Sequence, residues 1–512
     1  MSGGFRRGRE IQQDVAATAD VVICGSGAGG SMAARELARS GLSVMVLEEG
    51  GDHTARDFTQ REDEMIPALF QEMGGRRTED LSVMILSGKG LGGSTVHNTN
   101  LCKRTAPEIL TQWREDHGLR GISEQSMSPF FQRVEQDLGV VPIDPIRLNG
   151  NNQILKAGAE HLRYRGGMLS HNRDERCIGS GFCELGCAYD GKLNARRVLL
   201  PQAVEAGAIV YSDARVVRVL HDDGEARGVE GVLTDANGRS RAGIRIHTRT
   251  VCLAGSAIGS ASIALRSGIH DPHSQIGKSL RIHPGAIISG VFDRVVESFR
   301  GIPQSYECTE FLDLSKGSNK RVWIIPSFAH PIGSSALTPG FGPALMRQMR
   351  NYPRTAVLAG MIHDETEGRV YLDGERTRID YVPNAQDREQ LALGARESAR
   401  IFLAAGAREV MIPAVPPMYV RRESDLSQIT AARFAPNDAK LTAVHPMGTL
   451  RMGADPHSSV VDERGRHHHL SGLYVVDGSL FPTSIGGPPQ MSIYAFAMKV
   501  SGHVVQDMRA RS

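Results

Sequence analysis

The sequence predicts a mixed α/β protein, with one half built on a parallel sheet and the other on an antiparallel sheet. Short apolar runs that end at glycine and lead into helix-spaced segments occur at residues 21–48 and again from residue 249. Between residues 283 and 440 the character changes to stretches such as GRVYLD and TRIDYV, where apolar and polar residues alternate. Short apolar strands return after residue 440, so the parallel half is discontinuous in sequence.

The first strand–helix–strand unit reads DVVICGSGAGGSMAARELARSGLSVMVLEEGG. The run Val21–Cys24 ends at glycine, as a buried parallel strand does, and residues 31–40 carry apolar side chains at helical spacing. A second apolar run, Val44–Leu47, ends at Glu48. This order is typical of a Rossmann-like unit.

The turn of this unit carries the pattern G-x-G-x-x-G at Gly25, Gly27 and Gly30, with Ser26 and Ala28 between them. The first glycine permits a tight turn, the second lets the backbone approach a pyrophosphate, and the third lets helix and strand pack closely. The helix N-terminus faces the phosphate charge. Glu48 is positioned to accept hydrogen bonds from a ribose, so the unit predicts a dinucleotide site without separating NAD from FAD.

Later segments complete the predicted architecture. Residues 206–220 predict two short strands with a turn at Ser212, and residues 388–406 predict a long amphipathic helix. The predicted division is a nucleotide-binding domain at residues 15–282, with substrate-side insertions around 105–170, a substrate domain at 283–440, and a return to the first domain at 441–512.

Composition excludes several classes of protein. The 512 residues are 40% hydrophobic and 23% charged with a formal charge of +2, so neither nucleic acid nor an acidic membrane is expected as a partner. The sequence contains no run of ~18 apolar residues, so a membrane-spanning helix is not expected. Seven cysteines, an odd number at low density, favour a reducing compartment, and we expect a cytoplasmic protein. Arg6 and Arg7 are not followed by an apolar stretch, so the first twenty residues are expected to be a polar, frayed leader.

A second glycine loop, GKGLGGSTVHNTN at residues 88–100, suits contact with a flat ring and a diphosphate. A plain NAD fold does not require such a loop. Together with GSAIGSASIALRSGI, AVHPMGTLRMG and VVDGSLFPTSIGGPPQMSIYAFAMK, it resembles the signatures of the glucose–methanol–choline (GMC) oxidoreductases over nearly the whole chain.

The resemblance implies a Rossmann-like FAD-binding domain and a substrate domain on an antiparallel sheet. It also implies oxidation of a small-molecule alcohol at a CH–OH group, with electrons passed to oxygen or another acceptor. The residues that it assigns to FAD, besides those of the fingerprint, are Lys89, Gly92, Gly93, Ser94, Asn98, Val216 at the adenine, Asp477, Gly478, Gln490 and Met491.

Moving a hydride from an alcohol carbon requires loss of the hydroxyl proton, and a histidine suits that task. His445, in AVHPMGTLRMG, matches the active-site histidine of the family and is the predicted base. Many relatives pair this histidine with an Asn or His near the C-terminal helix. The matching position here is Pro488, which has no side-chain donor or acceptor. Either another residue supplies the second polar group, or the substrate needs one, or the reaction is not plain alcohol oxidation.

His97 occupies the position where some family members attach the flavin covalently, and covalent and non-covalent contacts both remain open. Cys177, Cys183 and Cys187 lack a fourth metal ligand at familiar spacing, so small buried thiols are favoured over a metal. The triplet His467, His468 and His469 is expected to be solvated. Met346, Met349 and Met361 either line an apolar cavity or, as expected, fill the core.

The leading hypothesis is therefore an FAD-dependent alcohol oxidase or dehydrogenase. A flavin-dependent lyase or decarboxylase on the same scaffold is the alternative, and a flavoprotein with a structural flavin is a third.

Overall fold

The computed structural model describes residues 3–511, and a parallel sheet forms one half of that range. Six strands of the described chain make this sheet, in the order Gly4–Arg7, Ile209–Ser212, Val44–Leu47, Val21–Cys24, Val251–Leu253 and Leu473–Val475. Every neighbouring pair is parallel. The central strands are apolar and completely buried, as expected where helices cover both faces. The predicted parallel half and its discontinuity in sequence are confirmed.

The expectation of a frayed leader is wrong for the residues described. Gly4–Arg7 forms an edge strand of the parallel sheet, and Val15–Thr18 pairs with Ser240–His247. Both strands keep one partly exposed face, which explains why polar residues in this segment are compatible with strand structure. The first strand lies before residue 15, and the predicted domain boundaries stay a prediction.

A second large sheet supports the other half. Its path runs through Met418–Val420, Glu409–Ile412, Gly285–Val291, Thr355–Ile362, Val322–Pro326, Tyr306–Cys308 and Gly166–Met168, and Leu441–Ala443 joins Val83–Ile85 to its side. Pairing along the path is antiparallel. The predicted amphipathic helix is confirmed as Ala385–Ala404, which packs against this sheet.

Smaller sheets flank these two. One contains Ala214–Asp222, Glu225–Thr234, Ser240–His247 and Val15–Thr18, and another contains Leu101–Cys102, Ser170–Asn172 and Val140–Pro142. The stretches GRVYLD and TRIDYV form the antiparallel hairpin Arg369–Asp373 and Arg376–Asp380, as predicted.

The α-helices besides Ala385–Ala404 are Ala28–Arg39, Glu62–Leu69, Pro107–Asp116, Glu124–Asp137, Gly150–His161, Leu199–Glu205, Ser256–Arg266, Pro331–Leu337, Gly342–Met349 and Gln490–Arg511. Between residues 3 and 511, no helix combines the length and the apolar character needed to cross a bilayer.

Candidate active site

A cavity of about 1070 Å³ lies between the parallel sheet and the antiparallel sheet. Cavities that hold a single small ligand usually measure ~300–1,000 Å³, so this one has room for a large cofactor together with a substrate. One side, which we call the glycine wall, consists of the turns at residues 25–29 and 88–95. The opposite side, the sheet wall, is one face of the antiparallel sheet.

The fingerprint turn provides the first part of the glycine wall. Gly25, Gly27 and Ala28 line the cavity where the strand Val21–Cys24 gives way to the helix Ala28–Arg39. Gly25 has a φ of 109°, which side-chain-bearing residues rarely adopt. A Cβ on Gly30 would lie 2.0 Å from the carbonyl oxygen of Gly25, so this glycine permits helix–strand contact, as its position predicts.

Glu48 joins the two parts of the glycine wall. Its carboxylate accepts hydrogen bonds from the backbone N–H of Ser26 (3.0 Å), Gly50 (3.1 Å) and Gly90 (3.1 Å), and from the Ser26 hydroxyl (2.8 Å). Burial raises the pKa of this carboxyl above its ordinary value. Glu48 lines the cavity, and its predicted contact with a ribose would add to a structural role that the sequence does not reveal.

The second glycine loop touches the first. A Cβ on Gly93 would lie 2.8 Å from the Cα of Gly27, so backbone meets backbone at this point. Ser94 and Asn98 also line the cavity, whereas Lys89 and Gly92 are not among its lining residues within the described chain. The Ser94 hydroxyl accepts a hydrogen bond from the backbone N–H of Gly88 at 2.8 Å.

The other predicted cofactor residues gather around the same cavity. Val216, Asp477, Gly478 and Gln490 line it. Asn98 donates to the side-chain oxygen of Gln490 at 2.8 Å, which links the second glycine loop to the start of the C-terminal helix. Met491 is buried in the core, 1% exposed, and its side chain packs with the apolar residues of the parallel half.

His97 presents an unpartnered nitrogen in this cavity. Its ring lies 3.9 Å from that of Phe70, centroid to centroid, and its Nε2 is buried without a hydrogen-bond partner among the described residues. Burial and the nearby Lys192 ammonium lower the pKa of His97 to about 3, so the imidazole is neutral. A neutral, oriented imidazole with a free nitrogen is suited to contact a ligand in the cavity.

His445 also lines the cavity, and a second histidine lies beside it. The Nδ1 of His445 is 3.2 Å from the Nδ1 of His283, and the two rings meet edge to face. The Nε2 of His445 has no hydrogen-bond partner among residues 3–511. Burial and His283 lower the pKa of His445 well below 6.5, so its ring is neutral near pH 7.

The hydrogen bonds of His283 determine where the protons lie. The backbone N–H of Gly486 donates to the Nε2 of His283 at 3.2 Å. A backbone N–H cannot accept a hydrogen bond, so the Nε2 is unprotonated and the Nδ1 carries the hydrogen in the neutral ring. That hydrogen points to the Nδ1 of His445, which leaves the hydrogen of neutral His445 on Nε2.

Asp364 holds His283 in place. The backbone of His283 has a φ of 51°, which few non-glycine residues adopt. The Asp364 carboxylate accepts the N–H groups of Ile282 (2.9 Å) and His283 (3.3 Å), and also the hydroxyls of Tyr381 and Ser484 at 2.8 Å each. These hydrogen bonds surround the Asp364 carboxylate, which is 1% exposed, and hold the backbone at His283 in place.

The structure explains part of the departure at Pro488. Pro488 lines the cavity and offers no polar side-chain atom, but Gly486 in the same loop reaches His445 through His283. Sequence analysis missed His283. A signal was present, because His283 and His445 both stand immediately before a proline.

The sheet wall is mostly apolar and follows the two-residue period of strands. Alternate residues on three strands line the cavity, and most are apolar: Ile287, Val291, Trp323, Ile325, Val357, Ala359 and Met361, together with the hydroxyl residues Ser289 and Thr355. The intervening residues, such as Ile288 and Leu358, are buried in the core on the opposite face. A substrate bound here therefore contacts hydrocarbon on the side away from the glycine wall.

Three expectations at other positions have different outcomes. Cys177, Cys183 and Cys187 are free and only partly buried, and they border a small cavity of about 20 Å³ beside Lys192. Met361 is buried in the core and also lines the large cavity, so both roles considered for it apply. The expectation of core filling is wrong for Met349, which lines the cavity without being buried, and for Met346, which is 62% exposed.

The expectation that the histidine triplet is solvated is wrong for His467, which is 5% exposed. Its Nδ1 accepts the N–H groups of His469 (3.1 Å) and Leu470 (3.0 Å), which closes the turn over its own ring. Burial lowers the pKa of His467 to about 4.

Comparison with protein families gives a consistent result over most of the chain. Residues 19–285 match the N-terminal domain of the family described as GMC oxidoreductase, and residues 364–497 match its C-terminal domain. An uncharacterised GMC-type oxidoreductase of Mycobacterium tuberculosis is 34% identical over 494 residues, covering 95% of this chain and 76% of the relative.

A long-chain-alcohol oxidase of Arabidopsis thaliana is 28% identical, covering 96% of this chain and 68% of the relative. Among solved structures, pyridoxine 4-oxidase from Mesorbium loti superposes with a TM-score of 0.73 at 19% identity, covering 95% of this chain and 99% of the other. Formate oxidase from Aspergillus oryzae gives a TM-score of 0.69 at 14% identity, covering 97% and 99%.

Proposed function

The chain belongs to the GMC oxidoreductase family and is an FAD-dependent oxidoreductase, and we propose that it oxidises the CH–OH group of an apolar alcohol, with His445 taking the hydroxyl proton. One observation carries this proposal. His445 lines the cavity between the glycine wall and the sheet wall, and its Nδ1 is engaged by His283, which leaves its Nε2 without a protein partner in the part of the chain that the structure describes.

The residues of the cavity fit FAD. The near contact of Gly93 with Gly27 leaves no space for side chains where a pyrophosphate and a flat ring would lie. The unpartnered Nε2 of His97 offers a contact to the ring system, and Val216 also lines the cavity. When bound, FAD supplies the two-electron acceptor for a hydride.

The protein contributes orientation and proton transfer. The alcohol oxygen binds at Nε2 of His445 while the hydrocarbon chain lies against Ile287, Val357 and Met361. The carbon loses a hydride and the oxygen loses a proton, which leaves a carbonyl product. A histidine that is neutral at physiological pH can take that proton.

The histidine pair has two proton arrangements, and they serve different steps. In the first arrangement the Gly486 N–H donates to the Nε2 of His283, and the Nε2–H of His445 donates to the alcohol oxygen and orients it. With the Nδ1–H of His445 donating to His283, the Nε2 of His445 is free to accept the proton. The second arrangement puts a hydrogen on the Nε2 of His283 and therefore requires its contact with Gly486 to open.

The apolar sheet wall supports a substrate with a hydrocarbon chain. A relative that covers nearly the whole chain is named a long-chain-alcohol oxidase, which agrees with this choice. We therefore propose primary or secondary alcohols with an extended apolar chain, with oxygen or another acceptor removing the electrons.

His97 is the proposed contact for the flavin ring, and its link is either covalent or non-covalent. Denaturing the holoprotein in acid separates the two. A yellow pellet shows a covalent link, which the variant His97→Ala abolishes, and a yellow supernatant shows a non-covalent contact.

The proposed function is tested by anaerobic mixing of the holoprotein with a panel of alcohols of increasing chain length. The flavin absorbance near ~450 nm is expected to bleach, fastest with the apolar alcohols, because the hydride leaves the substrate. Product formed without bleaching would identify the lyase or decarboxylase alternative. Neither product nor bleaching with any alcohol would contradict the proposal.

A further inference from the structure

The rim of the cavity includes two short helices with an unusual environment. We call Pro331–Leu337 and Gly342–Met349 the rim helices. None of the residues in either helix is buried. Helices of this length are unstable in water without burial of an apolar face, so a surface that covers them would stabilise them.

The outward side of the rim helices is apolar. Phe341, which directly precedes Gly342, is 87% exposed, and Met346 is 62% exposed. Clustered exposure of large apolar side chains marks an interaction surface.

The inward side of the same helices borders the cavity. Ile332, Leu337 and Met349 are among its lining residues, whereas Phe341 and Met346 are not among the lining residues of the described chain. The rim helices are therefore apolar towards the cavity and apolar towards the outside. An apolar molecule that enters past them stays in contact with hydrocarbon.

The charge of the segment that contains the rim helices favours an anionic partner. Residues 331–355 contain no Asp or Glu, and they contain Arg347, Arg350 and Arg354. Arg347 and Arg350 are exposed, and neither forms an ion pair among residues 3–511. Basic side chains beside a short apolar face are typical of helices that lie in the interface of an anionic bilayer.

A second copy of this chain fits less well. In a two-fold symmetric contact the same surface meets itself, which would bring Arg347 and Arg350 of both copies together without acidic partners. Like charges without partners oppose such a contact.

We propose that the rim helices dock on the surface of an anionic lipid bilayer, with Phe341 and Met346 inserted among the lipids and Arg347 and Arg350 at the headgroups. The docked mouth of the cavity receives apolar alcohols directly from the membrane, and this delivery rests on the proposed function. This revises the expectation of no membrane partner, because net charge and the absence of a spanning helix do not detect a local surface of this kind.

The test is sedimentation of the holoprotein with vesicles made of equal parts phosphatidylcholine and phosphatidylglycerol. The wild type is expected to bind these vesicles, and to bind them less at high salt. The double variant Phe341→Asp/Met346→Asp is expected to bind about tenfold more weakly or worse, because each large apolar side chain contributes strongly to insertion. Ile146→Asp is the matched control, since Ile146 is 86% exposed but does not border the cavity, and it should bind like the wild type.

A second variant keeps the apolar side chains in case the first fails to fold. Arg347→Ser/Arg350→Ser should reduce binding to the level seen with pure phosphatidylcholine vesicles. The proposal is overturned if the wild type does not sediment with the anionic vesicles, or if both double variants bind like the wild type. It is also overturned if the wild type binds no vesicles but forms a dimer, and Phe341→Asp/Met346→Asp converts that dimer to monomers. Binding is measured without turnover, so failure of alcohol oxidation and failure of docking are seen separately.

Discussion

The glycine wall and the sheet wall enclose the same cavity by opposite means. The glycine wall is backbone, held together by the contact of Gly93 with Gly27 and by four hydrogen bonds to Glu48. The sheet wall is made of side chains that alternate along strands, such as Ile287 and Val357. A backbone wall has no tolerance for added atoms, whereas a side-chain wall can change in shape without loss of the fold. Cofactor binding should therefore be fragile to substitution and substrate preference should be adjustable.

The largest effect is expected at the centre of the glycine wall. Gly93→Val adds atoms within 2.8 Å of Gly27 at a φ of 54°, so the flavin should be lost completely. The measurement is the ratio of flavin absorbance to protein absorbance after gel filtration. Gly41→Val is the matched control, because Gly41 has a φ of 92° but open space around it, and it should remain yellow. A yellow Gly93→Val protein would show that the glycine wall tolerates added atoms and would contradict this account of cofactor binding.

The next largest effect is expected where the two walls meet, at His445. His445→Ala should lower turnover by about 100-fold or more while the flavin stays bound, because no other group in the proposal takes the proton. Steady-state rates with a saturating alcohol measure this. The exposed His457→Ala is the control and should retain full activity. An unchanged rate in His445→Ala would remove this residue from the mechanism.

A somewhat smaller effect is expected at His283, because this residue acts on the cavity only through His445. His283→Leu should lower kcat/KM by about tenfold or more, since the Nδ1 of His445 loses its partner. Asparagine tolerates the φ of 51° and has both a donor and an acceptor, so His283→Asn should recover part of the loss. Equal activity in His283→Leu, His283→Asn and the wild type would show that the pair has no role in proton transfer.

A smaller effect is expected in the sheet wall. Ile287→Thr keeps a branched side chain on its strand but replaces a hydrocarbon group that faces the cavity with a hydroxyl. The ratio of kcat/KM for a long-chain alcohol to that for a short-chain alcohol should fall about fivefold, with flavin content unchanged. A change in flavin content without a change in chain-length preference would contradict the assignment of cofactor binding to the glycine wall and of substrate preference to the sheet wall.

The smallest effect is expected from pH in the neutral range. Because the pKa of His445 is lowered well below 6.5, the neutral base is present above that lowered value and is lost as the pH falls through it. The kcat/KM profile should therefore be flat from about pH 8 down to about 6.5. In His283→Leu the acid limb should move to higher pH, since His283 is one cause of the lowered pKa. A wild-type profile with a midpoint at or above 6.5 would contradict this environment.

The two walls also differ in how far the sequence predicts them. The glycine wall is encoded by contiguous motifs in which each glycine has a local reason, so the positions of Gly25, Gly27, Gly93 and Asn98 at the cavity were predictable from the sequence. His445 was found in the same way. The sheet wall and His283 were not, because their side chains come together only after strands distant in sequence pair. The exposed rim helices were missed for a related reason, since helical spacing does not reveal which face remains uncovered.

The account depends most on the claim that an alcohol gives its hydride to a flavin beside His445. The direct measurement is the rate of flavin bleaching after anaerobic mixing with an apolar alcohol that carries deuterium at the carbinol carbon, compared with the unlabelled alcohol. The account predicts slower bleaching with the deuterated alcohol, and further slowing by about 100-fold or more in His445→Ala. Conversion of the alcohol with no bleaching, or bleaching at the wild-type rate in His445→Ala, would contradict it.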